Sequence, residues 1–286
     1  MGDGAVVTAS GALDAVVGEV QSGVPPPSYP YAASGQRVEH PIRPGEVVIF
    51  AGQPGCGKTT FCMQSAFECL RFTPGIRVLV CNVEMAVSVL IMRLLSYLSG
   101  VPLTDIMQHQ VKDADKSAFE QGVATFRSVA DRLAFLTPPY TIENVVAGIE
   151  QFSPHIILLD YLQRFGLGMD ANPQSDRQRV NVIMEILRGF ADAGLSVVAV
   201  SALSRGKGEK GGSNYKSSNI SMANLRESAE LEYGADSVMI LSPNGNNAQR
   251  TVHFKHEKSR NGECKDMTLV FDGRFQRFSD ITAPSK

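Results

Sequence analysis

The sequence lacks any apolar run long enough to cross a lipid bilayer. Its best stretch, residues 86–92, contains Ser88 and ends at Arg93, whereas a spanning helix needs roughly 18 or more apolar residues. The N-terminus also lacks the basic start and the long apolar run of a secretory signal peptide. We therefore expect no membrane span and no secretion.

The five cysteines include no CxxC pair and are odd in number. Their spacing therefore fits neither a zinc site nor a disulfide framework. This pattern is typical of a reducing compartment, which predicts a cytoplasmic location.

The chain also lacks an excess of charge of either sign. Its 27 basic and 29 acidic residues give a net charge of −2, so it does not grip nucleic acid with its whole surface. Any nucleic-acid contact must be local. The 43% hydrophobic content is ordinary for a globular protein, and 286 residues are enough for one large α/β domain or two small ones.

Residues 1–40 read as a proline-rich arm that precedes a globular domain over residues 41–286. Six prolines lie within the first 45 residues. Within the arm, Ser10 is a candidate N-cap for a short helix with one apolar face, formed by Leu13, Val16, Val17 and Val20. That face would dock either on its own domain or on a neighbouring subunit.

After residue 45, short β-branched runs alternate with helical stretches, which predicts an α/β fold with a mostly parallel sheet and helices on both faces. Strands are predicted over residues 47–51, 78–83, 133–136, 156–160, 197–201 and 237–241. Helices are predicted over residues 58–71, 86–99, 116–131, 142–151 and 176–193. Residues 251–256 and 267–271 alternate in polarity and predict an antiparallel hairpin that turns at residues 260–262.

The segment after the first strand matches the phosphate-binding pattern GxxxxGK[ST] at every position. Glycines let backbone N–H groups face the phosphates, and the following helix directs its positive end toward them. The segment predicts an ATP site formed by Gly52, Gln53, Pro54, Gly55, Cys56, Gly57, Lys58, Thr59 and Thr60. Lys58 would contact the β- and γ-phosphates.

Two acidic residues at predicted strand ends are candidates for the rest of the site. Asp160 follows the apolar run IILL, and we expect it to hold Mg²⁺ together with the Thr59 hydroxyl rather than to cap a turn. Glu84 follows the next strand after the P-loop helix. Spacing leaves two roles open for Glu84, a base that orients the attacking water or a first-turn glutamate that favours the helix dipole.

Several short motifs occur in a consistent order: NVEM, a helix containing MRLL, LLDYLQ, LSR, NLRESAELEYGAD and KSRNG. Over roughly residues 40–280 this order resembles the C-terminal motor domain of DnaB-type replicative helicases, which are RecA-like ATPases. The resemblance implies a RecA-like core that assembles as a hexameric ring around single-stranded DNA, with ATP at the subunit interfaces.

The resemblance implies roles for individual residues. It favours Glu84 as the catalytic glutamate and Asp160 as the Mg²⁺ ligand. It makes Arg260, with Lys258 beside it, an arginine finger directed at the ATP of the next subunit, where the residues alone would fit a solvated basic turn. A guanidinium suits this role because it offers planar, multidentate donors to phosphate charge.

The same resemblance places DNA contacts in a loop that includes Arg226, Glu227, Ser228 and Ala229. A second candidate is the Gly-rich segment RGKGEKGGSNYK, which carries Arg205, Lys207 and Lys210. Such a cationic loop would bind DNA without sequence preference, although a solvated surface loop remains the alternative.

Three features depart from the family pattern. The family's N-terminal collar domain, which contacts primase, has no counterpart here, so primase coupling is doubtful and any loader or primase partner is unknown. Ala202 stands where the family has a phosphate-sensing Gln. The coupling between the γ-phosphate and the DNA-binding loops would therefore be weaker, or would run through Gln163. Ala229 stands where the family usually has Gly.

Three functions are therefore compatible with the sequence. The first is an ATP-driven, hexameric translocase or helicase on single-stranded DNA, with a role in DNA replication. The second is a RecA- or KaiC-like ATPase that forms a ring or filament, has a regulatory or recombination role, and does not unwind DNA. A small-molecule kinase is least favoured, because neither an acceptor pocket nor a lid is visible.

Overall fold

The computed structural model describes residues 7–167, 175–202, 233–245 and 247–281. Within these residues one nine-stranded sheet has the order β3-β2-β4-β5-β1-β6-β7-β8-β9. The strands are β1 (Val47–Gly52), β2 (Val78–Asn82), β3 (Leu133–Phe135), β4 (Ile156–Asp160), β5 (Ser196–Ala202), β6 (Ser237–Asn244), β7 (Gln249–Ser259), β8 (Met267–Asp272) and β9 (Arg277–Asp280).

The sheet has a parallel part and an antiparallel part. Strands β1 to β6 pair in parallel, and β7, β8 and β9 extend this sheet antiparallel from β6. Helices α2 and α3, which follow β1 and β2 in the chain, belong to one apolar core on the sheet, and α6 and α7, on either side of β4, belong to another. The predicted α/β fold is confirmed.

The helices follow the predicted periodicity closely. They are α1 (Ala9–Ser22), α2 (Lys58–Phe72), α3 (Val87–Ser99), α4 (Leu103–Met107), α5 (Lys116–Arg127), α6 (Ile142–Phe152) and α7 (Asp176–Asp192). Gly100 ends α3 in the left-handed conformation, with φ of 70°, where glycine carries no steric cost. No helix within the described ranges is long and apolar enough to span a membrane.

Some predicted boundaries were wrong. Thr8, not Ser10, caps α1, because its hydroxyl accepts from the Gly11 N–H at 3.2 Å. Helix α5 ends at Arg127 and a short 3₁₀ turn follows at Ala130–Arg132. The connection between β7 and β8 is a loop over residues 260–266, longer than the predicted turn. The short elements α4 and β9 had no signal in the sequence pattern.

The proline-rich segment contacts the sheet domain at several places, among them an ion pair between Arg37 and Asp280 of β9 at 3.0 Å. Tyr29 forms an isolated antiparallel bridge with Ile42, and Tyr31 is 2% exposed with its ring against Phe61. Helix α1 buries none of its residues, so its apolar face is exposed. The proposed domain boundary near residue 40 stays a prediction.

Candidate active site

The phosphate-binding loop lies between β1, the middle strand of the nine-stranded sheet, and α2. Strand β1 delivers Gly52 at its carboxyl end, and Gly55 and Gly57 adopt φ of 78° and 98°. These values favour glycine, which explains the residue types in the motif. The Lys58 Nζ donates to the carbonyls of Gly52 at 2.7 Å and Gln53 at 2.9 Å, so it lies over the loop.

The sheet register brings the predicted magnesium ligands together. Asp160 pairs in register with Asn82 on one side and Val200 on the other, so three strands end at one edge. The Thr59 hydroxyl donates to Asp160 Oδ2 at 2.5 Å, and Asn82 Nδ2 donates to the same oxygen at 2.8 Å. The start of α2 and the end of β2 thus each donate a hydrogen bond to the Asp160 carboxylate.

Asp160 is only 1% exposed. Burial raises the pKa of its carboxyl group, and the hydrogen bond from Thr59 opposes that rise. Carboxylate and hydroxyl oxygens are ligands that Mg²⁺ accepts, usually with several further oxygens from phosphate and water. One carboxylate and one hydroxyl therefore fit a cation whose remaining ligands come from a nucleotide and water.

Glu84 lies two residues beyond β2, at the same edge. Its N–H and that of Met85 donate to Asn82 Oδ1 at 2.9 and 2.7 Å. Its side chain is exposed and lines a cleft of about 580 Å³ that also contains Lys58, Thr59 and Asp160. This volume lies in the range typical of small-molecule sites.

Two further residues of this cleft, Arg93 and Gln276, were not among the predicted site residues, although Arg93 lies in the motif MRLL. Arg93 Nη1 and the Thr60 hydroxyl both donate to Gln276 Oε1, at 3.1 and 2.9 Å. Burial lowers the pKa of Arg93, while the carboxylates of Glu84 and Asp160 oppose the change. The sequence could have indicated a functional role for Arg93, because it is the single charged residue in the otherwise apolar helix VSVLIMRLLSYLS. No sequence pattern indicated Gln276, which lies 216 positions from Thr60.

Arg260 lies at the other end of the central strands. Its guanidinium contacts Asp236 Oδ1 at 3.0 Å and donates to the Tyr233 carbonyl at 2.8 Å. Asp236 Oδ2 also accepts from the Val47 N–H at 2.8 Å, at the start of β1. Five residue steps along β1, about 17 Å at ~3.3 Å per residue, separate this point from Gly52. The predicted finger therefore lies far from its own phosphate loop.

Lys258 lies beside Arg260 at the end of β7. Its Nζ donates to the same Tyr233 carbonyl at 3.4 Å. The two predicted basic residues thus share one anchor.

Comparison with known proteins identifies the family. A family model for the DnaB-like helicase C terminal domain matches residues 37–280. The chain belongs to this family. It is also 26% identical over 256 residues to the replicative DNA helicase DnaB of Leifsonia xyli subsp. xyli, which is 84% of this chain and 53% of that protein. The chain spans about half the length of the curated relatives it matches.

Solved structures give the same fold for this DnaB-like domain. One of them, described as an ATPase domain, superposes with a TM-score of 0.80 at 20% identity, covering 96% of this chain and 99% of its own. A DnaB-like replicative helicase, described together with its interactions with primase, has a TM-score of 0.77 at 20% identity over 98% of this chain and 68% of its own. At such identities the likeness shows the fold alone.

The predicted DNA contacts of the DnaB-like domain lie outside the described residues, and they stay predictions. They are Arg205, Lys207, Lys210, Arg226, Glu227, Ser228 and Ala229.

The Ala202 departure from the family pattern lies within the described residues. Ala202 ends β5 and lines the cleft. Gln163 Nε2 donates to the Ser201 hydroxyl at 2.8 Å, and the Ala202 N–H donates to Gln163 Oε1 at 3.4 Å. The amide proposed to substitute for the family's Gln is therefore adjacent to the position where that Gln is missing.

Proposed function

We propose that this chain is the motor of a cytoplasmic replicative helicase, an ATP hydrolase that moves along single-stranded DNA as a ring, expected to be a hexamer. One observation carries the proposal. Lys58, Thr59 and Asp160 line one cleft at the carboxyl end of β1. Arg260 lies at the amino end of β1, where it pairs with Asp236. A single chain therefore holds only part of the predicted ATP site, and a neighbour in a ring would supply the rest.

Within the cleft, the side chains divide the work of phosphoryl transfer to water. Lys58 and the N–H groups at the start of α2 bind the β- and γ-phosphates. Thr59 and Asp160 would hold Mg²⁺, which neutralises phosphate charge when bound. Glu84, exposed at the cleft and anchored through its N–H to Asn82, accepts a hydrogen bond from the attacking water and orients it.

Across the interface, Arg260 of one subunit supplies positive charge to the γ-phosphate bound by the next. Its side chain is 46% exposed, so the guanidinium is accessible to a neighbour. Its ion pair with buried Asp236 fixes the direction from which it approaches. Preorganised charge of this kind stabilises the transition state without further ordering at the moment of reaction.

The proposed DNA contacts follow directly on the cleft in the chain. Strand β5 ends at Ala202 in the cleft, and the segment that carries Arg205, Lys207, Lys210 and Arg226 comes next. ATP hydrolysis and DNA binding would therefore influence each other through the end of β5. The basic residues of the segment supply binding that depends on salt and not on base sequence.

ATP hydrolysis measured with and without single-stranded DNA, alongside the mass of the particle, tests this function. We expect DNA to stimulate hydrolysis severalfold and the mass to correspond to a ring of chains. An ATP hydrolysis rate that single-stranded DNA does not change, or a monomer that hydrolyses ATP at the full rate, would contradict the proposal.

Strand displacement on a forked duplex then separates a motor from a regulatory ATPase. A ring whose DNA-stimulated hydrolysis never displaces a strand would favour the regulatory function. The same assay with Lys58→Ala is the control for displacement that does not depend on ATP.

A further inference from the structure

Arg250, near the start of β7, contacts the phosphate-binding loop of its own chain. Its Nη2 donates to the Gly55 carbonyl at 2.6 Å, across 195 positions of sequence. Hydrogen bonds from a charged donor are shorter and stronger than neutral ones. None of the motifs that indicated the ATP site includes Arg250.

The guanidinium of Arg250 rests on an aromatic pair from the last strands. It lies over the Phe271 ring at 5.0 Å from the centroid, and Phe271 stacks on Phe278 with centroids 4.6 Å apart. A Cβ at Gly57 would lie 2.8 Å from Phe278 Cζ. The antiparallel strands thus hold the loop at two points, Gly55 through Arg250 and Gly57 through Phe278.

The bond to Gly55 restrains a residue of the loop that packing leaves unrestrained. Gly55 has φ of 78°, and nothing lies within 4 Å of the position its Cβ would occupy, so packing does not restrain it. The peptide between Gly55 and Cys56 is held at both ends, because its carbonyl accepts from Arg250 and its N–H donates to the Gln53 carbonyl at 3.3 Å. A loop fixed in this way loses less conformational entropy when phosphates bind.

We propose that Arg250 is a positioning residue of the phosphate site, which holds the Gly55 carbonyl and keeps the loop in the conformation that receives the di- or triphosphate of a nucleotide. This inference rests on the proposed function, since it assumes that the loop binds nucleotide. Arg250 acts through Gly55 and does not itself line the cleft that contains Lys58.

Calorimetric binding of Mg·ADP and of inorganic pyrophosphate tests the proposal on the full chain. Arg250→Met keeps the aliphatic stem on Phe271 but removes the donor, whereas Arg250→Lys keeps a charged donor. We expect Arg250→Met to weaken both ligands by the same factor, about tenfold, as fits the loss of one charge-assisted hydrogen bond. Arg250→Lys should recover part of the loss.

Arg274→Ala is the matched control, because Arg274 is an exposed arginine between β8 and β9, with its guanidinium over the Phe275 ring. It should bind both ligands as the wild type does. Wild-type affinity in Arg250→Met, or a loss for ADP with none for pyrophosphate, would overturn the positioning role. If the wild-type chain bound neither ligand, the proposed function itself would fail, and the inference with it.

Discussion

The two ends of strand β1 are built on different principles. At the carboxyl end, the loop after Gly52, the start of α2 and the end of β4 form a cleft with Asp160 at its base. At the amino end, Asp236 joins Arg260, Arg188 and the Val47 N–H. One end is a cavity that fits a ligand, and the other presents a half-exposed cation on a buried anchor.

In the proposed ring, this difference would divide one reaction between two subunits. A phosphate loop needs many backbone groups from one continuous segment, so one chain must provide it. An arginine finger needs only one guanidinium with a fixed direction, so a neighbour can provide it. A rigid sheet between the two ends fixes their relative position.

The largest expected effect is the loss of the Lys58 ammonium from the cleft. Lys58→Ala should lower ATP turnover by about 1000-fold or more, because the ammonium that binds the phosphates is removed. A steady-state phosphate-release assay measures this. The sheet should remain folded, as circular dichroism would show. Turnover within about tenfold of wild type would mean that the cleft is not the catalytic site.

Arg260→Ala should separate binding from turnover. We expect turnover to fall by roughly 100- to 1000-fold, as for the loss of one preorganised donor, while the affinity for ATP changes by less than about threefold, because the finger lies outside its own cleft. Arg260→Lys, which keeps the charge without the planar fork, should recover only a small part.

Mixed rings sharpen this result. An Arg260→Ala chain can still bind and orient ATP, and a Lys58→Ala chain can still offer its finger. Mixing the two should therefore restore turnover above that of either variant alone. If mixing restored nothing, or if Arg260→Ala hydrolysed ATP normally, the assignment in trans would be wrong.

Asp160→Asn should maintain or raise the stability of the fold while it lowers the activity of the cleft. Burial raises the pKa of the carboxyl group above its ordinary value of 3.8, so the buried charge costs folding free energy at neutral pH. Stability from this group is present below the unfolded pKa and is lost as pH rises through the folded pKa. The variant should unfold at equal or higher temperature than wild type at pH 7, yet lose Mg²⁺-dependent turnover.

The thermal advantage of Asp160→Asn should shrink as the pH falls toward the ordinary carboxyl pKa of 3.8. An advantage that stays constant from neutral pH down to that value would contradict the raised pKa. Asp272→Asn, at a partly exposed carboxylate on β8, serves as the control.

The smallest effect concerns His40, whose ring centroid lies 5.3 Å from that of His256 on β7, and here the pH response has the opposite sign. Burial, reinforced by the neighbouring His256, lowers the pKa of His40 from 6.5 to about 4. Stability is therefore lost as pH falls from 6.5 toward 4, since only the unfolded chain takes up the proton readily. His40→Gln should lose less thermal stability than wild type over this window. An equal loss in both would show that His40 does not contribute.

Much of this molecule could be predicted from the sequence because its signals are local. The glycine pattern fixes the loop conformation at Gly55 and Gly57, and the run IILL before Asp160 marks a strand buried on both faces. Strands that end in parallel bring their last residues to one edge, which is why the sequence pattern sufficed to pair Thr59 with Asp160.

Contacts between distant segments required the structure. The register of β4 between β2 and β5 places Asn82 on the Asp160 carboxylate. The antiparallel extension brings Arg250 and Gln276 onto the phosphate loop and the helix that follows it. No local pattern encodes such pairs, since they depend on how strands pack and not on neighbouring residues.

By itself, the sequence determined that this chain has a phosphate-binding loop, an α/β sheet and a DnaB-like order of motifs, because glycine geometry and apolar periodicity act over a few residues. Only the tertiary structure decided that Arg260 is held by Asp236 at the far end of β1, and that Arg250 holds Gly55 at the near end. Both facts follow from the direction in which β7 runs, which is set by its pairing with β6.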